Sequence, residues 1–141
     1  MNEVFPEMAG DVRGVGTDII EVSRIEEMIQ RHDETFLQRV YTAHEIQYCR
    51  QRKAAAQHYA GRWAAKEAAL KALGTGWARG IKWTDLEVSN EPGGRPRLTL
   101  QGAARDYAEQ LGIEEMKISI SHCKAFAVAL VVAVGQAAAG S

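Results

Sequence analysis

A chain of 141 residues, 46% hydrophobic and 25% charged, has the size and composition of one soluble globular domain with a substantial core, which excludes disorder, a disulfide scaffold and a collagen-like fibre. Its longest apolar run, Ala125 to Val134, is about half of what spans a bilayer as a helix, and MNEVFPEMAGD has neither a basic nor an apolar leader segment, so no membrane association and a cytoplasmic location are expected. The net charge of -1 hides a segregation: from Arg50 to Lys82 eight basic residues stand against the single acid Glu67, giving +7 there and -8 elsewhere, which suggests either one localised phosphate-bearing or acidic ligand or a solvated basic helix face.

Residues 1–11 and 135–141 read as flexible extensions around a core at 12–134. The segment VRGVGTDII predicts a strand ending near Ile20. Ser23 with Glu26 has the capping-box pattern, opening a helix with Ile25, Met28 and Ile29 on one stripe. Asp33 is placed to cap a short helix through Phe36, Leu37 and Val40, and Thr42 with Glu45 to cap another through Ile46 and Cys49. Nine alanines between Ala54 and Leu73, interrupted only by Gly61, predict a long helix that ends at Gly74. Asp85–Asn90 and Arg97–Gln101, joined by Glu91-Pro92-Gly93-Gly94, read as a hairpin. A helix over Ala103–Leu111, a strand over Lys117–Cys123 and a buried run over Ala125–Val134 follow. The fold class is α+β: a compact single domain with a long central helix packed on antiparallel strands. Cys49 and Cys123 read as free thiols, and neither a zinc site nor thiol catalysis is signalled.

Three residues depart from their surroundings. Asp18 is a poor strand former set between Val15 and Ile19-Ile20, and reads as a turn residue or as a functional carboxylate. Gly14 and Gly16 beside it invite a nucleotide fingerprint, but the third glycine and a parallel βαβ unit are missing. On a helical projection Glu67 falls about 40° from Trp63, on the side of Ala56, Tyr59 and Leu70. An acid there is a candidate hard-cation ligand or an ion pair with Lys71. Two carboxylates with water and phosphate oxygens suit Mg²⁺. His122 continues the Ile118 and Ile120 face of its strand, as a core residue or a functional one. Gly74-Thr75-Gly76 follows a helix, where the dipole has the wrong sign for an anion, and reads as a helix cap.

Gly14 through Val22 (GVGTDIIEV) with Arg24-Ile25, Ala60 through Ala68 (AGRWAAKEA), Lys71 through Gly76 (KALGTG) and Ser119-Ile120-Ser121-His122 resemble, in order and spacing, the motifs of the holo-acyl-carrier-protein synthase family of 4′-phosphopantetheinyl transferases. The resemblance implies transfer of phosphopantetheine from coenzyme A to a serine of apo acyl carrier protein, releasing adenosine 3′,5′-bisphosphate. It implies Mg²⁺ held by Asp18 and Glu67, catalytic roles for Glu67, Lys71 and His122, and coenzyme A bound by Arg62, Lys71, Gly74, Thr75, Gly76 and His122. The base for the serine stays open between Glu67 and a metal-held water. Members of the family are compact trimers with the site between subunits, and their arginines matching Arg24 and Arg31 face the acidic carrier protein, of fatty-acid or polyketide type. Glu34 and Glu27 depart from that basic pattern, and Glu27 stands at i,i+4 spacing to Arg31. Two other classes compete. An inactive coenzyme-A-binding module is disfavoured because Asp18 and Glu67 are both present. A nucleic-acid binder is disfavoured by a pI near 6.4 and by Tyr59 and Trp63 on the packing face.

Overall fold

A computed structural model describes residues 11–135; the extensions expected at the two ends fall outside the described residues except for Asp11 and Gly135, which pair with each other in the sheet. The elements are β1 (Asp11–Glu21), α1 (Val22–Val40), α2 (Ala43–Arg50), α3 (Ala55–Leu73), a single 3₁₀ turn (Trp83–Asp85), β2 (Leu86–Asn90), β3 (Pro96–Leu100), α4 (Gly102–Gln110), β4 (Ile113–His122) and β5 (Phe126–Gly135). They form an antiparallel sheet of order β1-β5-β4 and a β2-β3 hairpin, the α+β arrangement that the sequence predicts. Among the described residues no helix is long and apolar enough to cross a membrane.

The sheet's alternation decides what α3 meets. Cα pairing sets Gly16 beside Val131 and Asp18 beside Ala129, and on the other side Ile118 beside Val131 and Ile120 beside Ala129. Paired residues share a face, so Gly14, Gly16 and Asp18 of β1 lie on the face of the buried Ala129, Val131 and Ala133. α3 lies on that face at backbone distance. A Cβ added at Gly14 would sit 2.0 Å from the carbonyl oxygen of Ala72, and one at Gly16 would sit 1.9 Å from that of Ala68. The two glycines are packing residues, in agreement with rejection of the nucleotide fingerprint. Gly61 has the same explanation, since its Cβ would meet Ile120 Cγ2 at 2.9 Å.

A second constraint holds α3 in rotation. Lys66 and Glu45 are both fully buried, with Nζ 2.7 Å from Glu45 Oε1. The same ammonium donates to the carbonyls of Val40 at 2.7 Å and Trp83 at 3.2 Å, and Glu45 Oε2 accepts from the Val88 amide at 2.7 Å. One ion pair therefore joins α3 to the end of α1, to α2 and to β2. Burial pulls the Lys66 pKa down, while Glu45 acts against that shift.

Several expectations are corrected. The Ser23–Glu26 cap does not form: α1 starts at Val22 with Glu21 as its uncapped N-cap, and the Val22 amide is taken by the Ala125 carbonyl at 2.9 Å. Strand and helix are continuous there, which leaves Ser23 inside the first turn. Asp33, at φ 49 and ψ -127, breaks α1 into two helical segments, and the second carries the buried Phe36, Leu37 and Val40 as the sequence predicts. The Thr42–Glu45 capping box is present in both directions. β4 begins at Ile113, ahead of Lys117. The run Ala125–Val134 is not buried throughout: Ala127, Ala129, Val131 and Ala133 are buried, but Phe126, Val128 and Leu130 are exposed. Among the described residues, helices cover only one face of this sheet. α3 is not amphipathic either, because its alanines admit neighbours on nearly all sides, and Arg62 and Lys66 are buried rather than on a solvated basic face.

The crossing of α3 over β1 generates a stability prediction. Gly16→Ala should cost at least about 3 kcal/mol in urea denaturation, because backbone must move to admit the methyl group, whereas Gly93→Ala, whose Cβ meets nothing within 4 Å, should stay within about 0.5 kcal/mol. Equal midpoints for the two variants would remove the close crossing.

Candidate functional site

Because α3 crosses β1 on the face that carries Asp18, its last turns run past that carboxylate. Lys71, one turn after Glu67, places Nζ 3.2 Å from Asp18 Oδ1 and 2.9 Å from the Thr17 carbonyl oxygen. Glu67 is half-buried. Burial pushes its pKa up, the neighbouring Asp18 adds to that, and Trp77 and Lys71 work against it. Trp77 donates its indole N–H to Glu67 Oε1 at 3.4 Å. Lys71 thus pairs with Asp18 rather than with Glu67, and the two carboxylates are electrostatic neighbours.

α3 then ends as its sequence predicts. Gly74 is left-handed at φ 79, and its amide returns to the carbonyls of Leu70 and Lys71. The chain continues through Gly76 (φ 57), Arg79 (φ 63) and Gly80 (φ 75), conformations that glycine adopts without strain and arginine does not. Asp18, Glu67, Lys71 and the start of this loop form one site at the C-terminal end of α3.

Arg62 and His122 are not part of it within one chain. His122 ends β4, exposed, with Nδ1 2.8 Å from Gln57 Oε1 and its ring 4.9 Å from that of His58. That excludes the core reading of His122. Gln57 and Glu67 are ten residues apart on α3, about 15 Å along the axis. Arg62 is buried; Nη2 donates to Asn90 Oδ1 at 3.0 Å, and its Nε has no hydrogen-bond partner among the described residues. Arg62 and Arg52 lie over the Tyr48 ring at 4.2 and 3.7 Å. With His58 and His122 they make a cationic cluster at the N-terminal end of α3. Burial lowers the His58 pKa, and His122, Arg62 and Arg52 lower it further.

Among the described residues there is no cluster of three or more His, Cys, Asp or Glu suited to a metal. Asp18 and Glu67 nonetheless fit a small hard cation that keeps part of its water shell: two carboxylates side by side, one desolvated, with an ammonium already drawn onto the other. Cys49 is buried and its thiol is pushed up to about 12, which removes it from any nucleophilic role. Sequence reading missed Trp77, whose signal is positional, three residues past the helix cap. It also missed Tyr48, Arg52 and His58, which only the packing of α2 on α3 brings together.

Arg24 and Arg31 are exposed on α1, and among the described residues no ion pair engages either, so the i,i+4 pairing with Glu27 does not form. Glu34 is paired with Arg50.

Residues 14–131 match the model of the 4′-phosphopantetheinyl transferase superfamily. The chain is 47% identical over 121 residues to the holo-[acyl-carrier-protein] synthase of Koribacter versatilis, covering 86% of this chain and 97% of that protein. The structure of Plasmodium yoelii acyl carrier protein synthase with ADP bound superposes with a TM-score of 0.82 at 30% identity, over 92% of this chain and 99% of that one. A Bacillus anthracis holo-(acyl-carrier-protein) synthase in complex with CoA (3′,5′-ADP) superposes with a TM-score of 0.74 at 36% identity, over 89% and 98%.

The raised pKa of Glu67 has a sign that can be measured. The folded state retains a proton at a pH where the unfolded chain has lost it, so this group's contribution to stability falls as pH rises through the folded pKa. In chelator-treated buffer Glu67→Gln should melt above the wild type at pH 8, and the difference should vanish below about pH 4, where both states are protonated. A lower melting temperature at pH 8 would show that the contacts to Trp77 and Lys71 outweigh burial.

Proposed function

The chain belongs to the 4′-phosphopantetheinyl transferase superfamily, and from that premise we propose that it is a holo-[acyl-carrier-protein] synthase. It moves the 4′-phosphopantetheine arm of coenzyme A onto a serine of apo acyl carrier protein and releases adenosine 3′,5′-bisphosphate. The observation that carries this reading is the juxtaposition of Asp18, Glu67 and Lys71 beside the Gly74–Gly80 loop.

Asp18 and Glu67 would hold Mg²⁺, which neutralises the pyrophosphate and stabilises charge on the leaving phosphate. The serine oxygen forms a bond to the phosphorus that bears pantetheine, and the bond from that phosphorus to the bridging oxygen of the pyrophosphate breaks. Lys71 supplies positive charge at the same end of α3. Either Glu67 or a cation-held water would take the proton of the serine hydroxyl. The partner protein's serine is the nucleophile, in keeping with the inert Cys49.

The cationic cluster of Arg52, Arg62, His58 and His122 suits the nucleotide phosphates, and its histidines lie toward the opposite end of α3 from Glu67 of their own chain. A second copy resolves this. The uncovered sheet face carries Val15 and Ile19 of β1 against Val132 and Val128 of β5, with Ile19 61% exposed. A contiguous apolar face of this kind is an association surface, and a homotrimer built on it sets one copy's Asp18, Glu67 and Lys71 beside the next copy's His122 cluster. Arg24 and Arg31, which no ion pair engages among the described residues, would face the acidic carrier protein.

Incubation with coenzyme A, Mg²⁺ and an apo carrier protein should add the mass of the phosphopantetheine arm to the carrier. Asp18→Ala and His122→Ala should each lose at least about 100-fold, yet co-refolded mixtures of the two should regain activity through sites that join one intact half from each. No recovery would place the site within one chain. In a separate experiment, Arg24→Glu with Arg31→Glu should raise the KM for the carrier and flatten its salt dependence while leaving the KM for coenzyme A nearly unchanged. An equal loss for both substrates would take α1 off the docking surface.

A further inference from the structure

The loop after α3 has three left-handed glycines, Gly74, Gly76 and Gly80, and such a segment holds a defined position only where side chains pin it. Two side chains do so. Arg79 lies 4.3 Å over the ring of Tyr107 of α4. Trp77 packs tilted against Trp83 at 3.9 Å and 38°, Trp83 lies 4.3 Å from Trp63, and Trp63 stacks on the buried Phe36 of α1. The base of this ladder is itself anchored, since the Trp83 carbonyl accepts from the buried ammonium of Lys66 at 3.2 Å. The ladder ends at a carboxylate. The indole N–H of Trp77 donates to Glu67 Oε1 at 3.4 Å, and Glu67 Oε2 has no hydrogen-bond partner among the described residues.

We propose that Trp77 is a positioning residue for the cation site: its indole N–H fixes the rotamer of Glu67, leaves Oε2 available as the ligand oxygen, and ties the conformation of the Gly74–Gly80 loop to that of the carboxylate. A glutamate has three side-chain torsions, so holding it in one rotamer removes entropy that binding would otherwise cost. Outer-shell hydrogen bonds of this type alter metal affinity by about 10- to 100-fold. At the long end of hydrogen-bond distance, the lower value applies here. The inference rests on the reading of Glu67 as a metal ligand.

The test uses Mn²⁺ alone as the probe, its free concentration followed by electron paramagnetic resonance, with no substrate present. Trp77→Phe keeps a ring on Trp83 and deletes the N–H. It should weaken Mn²⁺ binding about tenfold, and Glu67→Gln should abolish it. In the ¹H–¹⁵N spectrum the indole signal missing from Trp77→Phe identifies Trp77 in the wild type, and Glu67→Gln should move that signal far more than those of Trp63 and Trp83. This second measurement does not depend on the phenylalanine variant being well folded for binding. Unchanged Mn²⁺ affinity in folded Trp77→Phe, or an indole signal indifferent to Glu67→Gln, would overturn the role of Trp77 while leaving Glu67 as a ligand. Mn²⁺ binding by Glu67→Gln as tight as by the wild type overturns the ligand reading, and this proposal with it.

Discussion

The close crossing of α3 over β1 is the constraint on which the rest of the structure depends. Two glycines and two alanines remove every side-chain atom beyond Cβ from that contact, so the carbonyls of Ala68 and Ala72 face the bare backbone of Gly16 and Gly14. Glycine in a strand weakens it locally, since it costs entropy and packs nothing. That loss is offset by distance: a normal helix-on-sheet separation would leave the Asp18 side chain, which is short, out of reach of α3. At backbone contact Lys71 reaches across to Asp18, and Glu67 senses its charge.

Distance alone does not aim a side chain, and the buried Lys66–Glu45 pair supplies the rotation. Neighbouring residues on a helix project about 100° apart, so fixing Lys66 toward α2 and β2 fixes the direction of Glu67. Ion pairs of this kind add little net stability over an apolar replacement, because both charges are desolvated. Their value here is directional: an ammonium with three donors satisfied by Glu45, Val40 and Trp83 admits one orientation of the helix. A methionine at Lys66 would fill the space without that demand.

What was legible in the sequence was what is local. The Thr42–Glu45 box, the Gly74 terminator and the Glu91–Gly94 turn act within a few residues, and each forms. The Ser23–Glu26 pattern is equally good locally and fails, because the amide it would help satisfy belongs to a strand-to-helix junction closed by Ala125, far along the chain. Asp18 and Glu67 stood out because each breaks a local rule, an acid in a strand and an acid among alanines, and residues that break such rules often have a task. Glu45 broke none: it served as the N3 acid of a capping box, which concealed its second role toward Lys66. The apolar run of β5 was legible as strand, but the sequence carries no sign of whether its second face is covered, since that depends on what packs there.

Charge balance links the two ends of α3. Two carboxylates against one ammonium leave the Asp18–Glu67–Lys71 group with one formal negative charge, which repels a pyrophosphate and attracts a cation. The Arg52, Arg62, His58 and His122 group carries the opposite sign and is built around an aromatic ring that both arginines cover. A ligand with a cation-binding pyrophosphate at one end and a further phosphate at the other matches this division only if the two groups come within one ligand's length. Within a chain the histidines of the second group lie toward the opposite end of α3 from the first group. On the proposed trimer the apolar face of β1 and β5 would be more than a solubility liability: burying it against another copy would make two half-sites of opposite charge into one site. Fold stability and the assembly of the site would then draw on the same association.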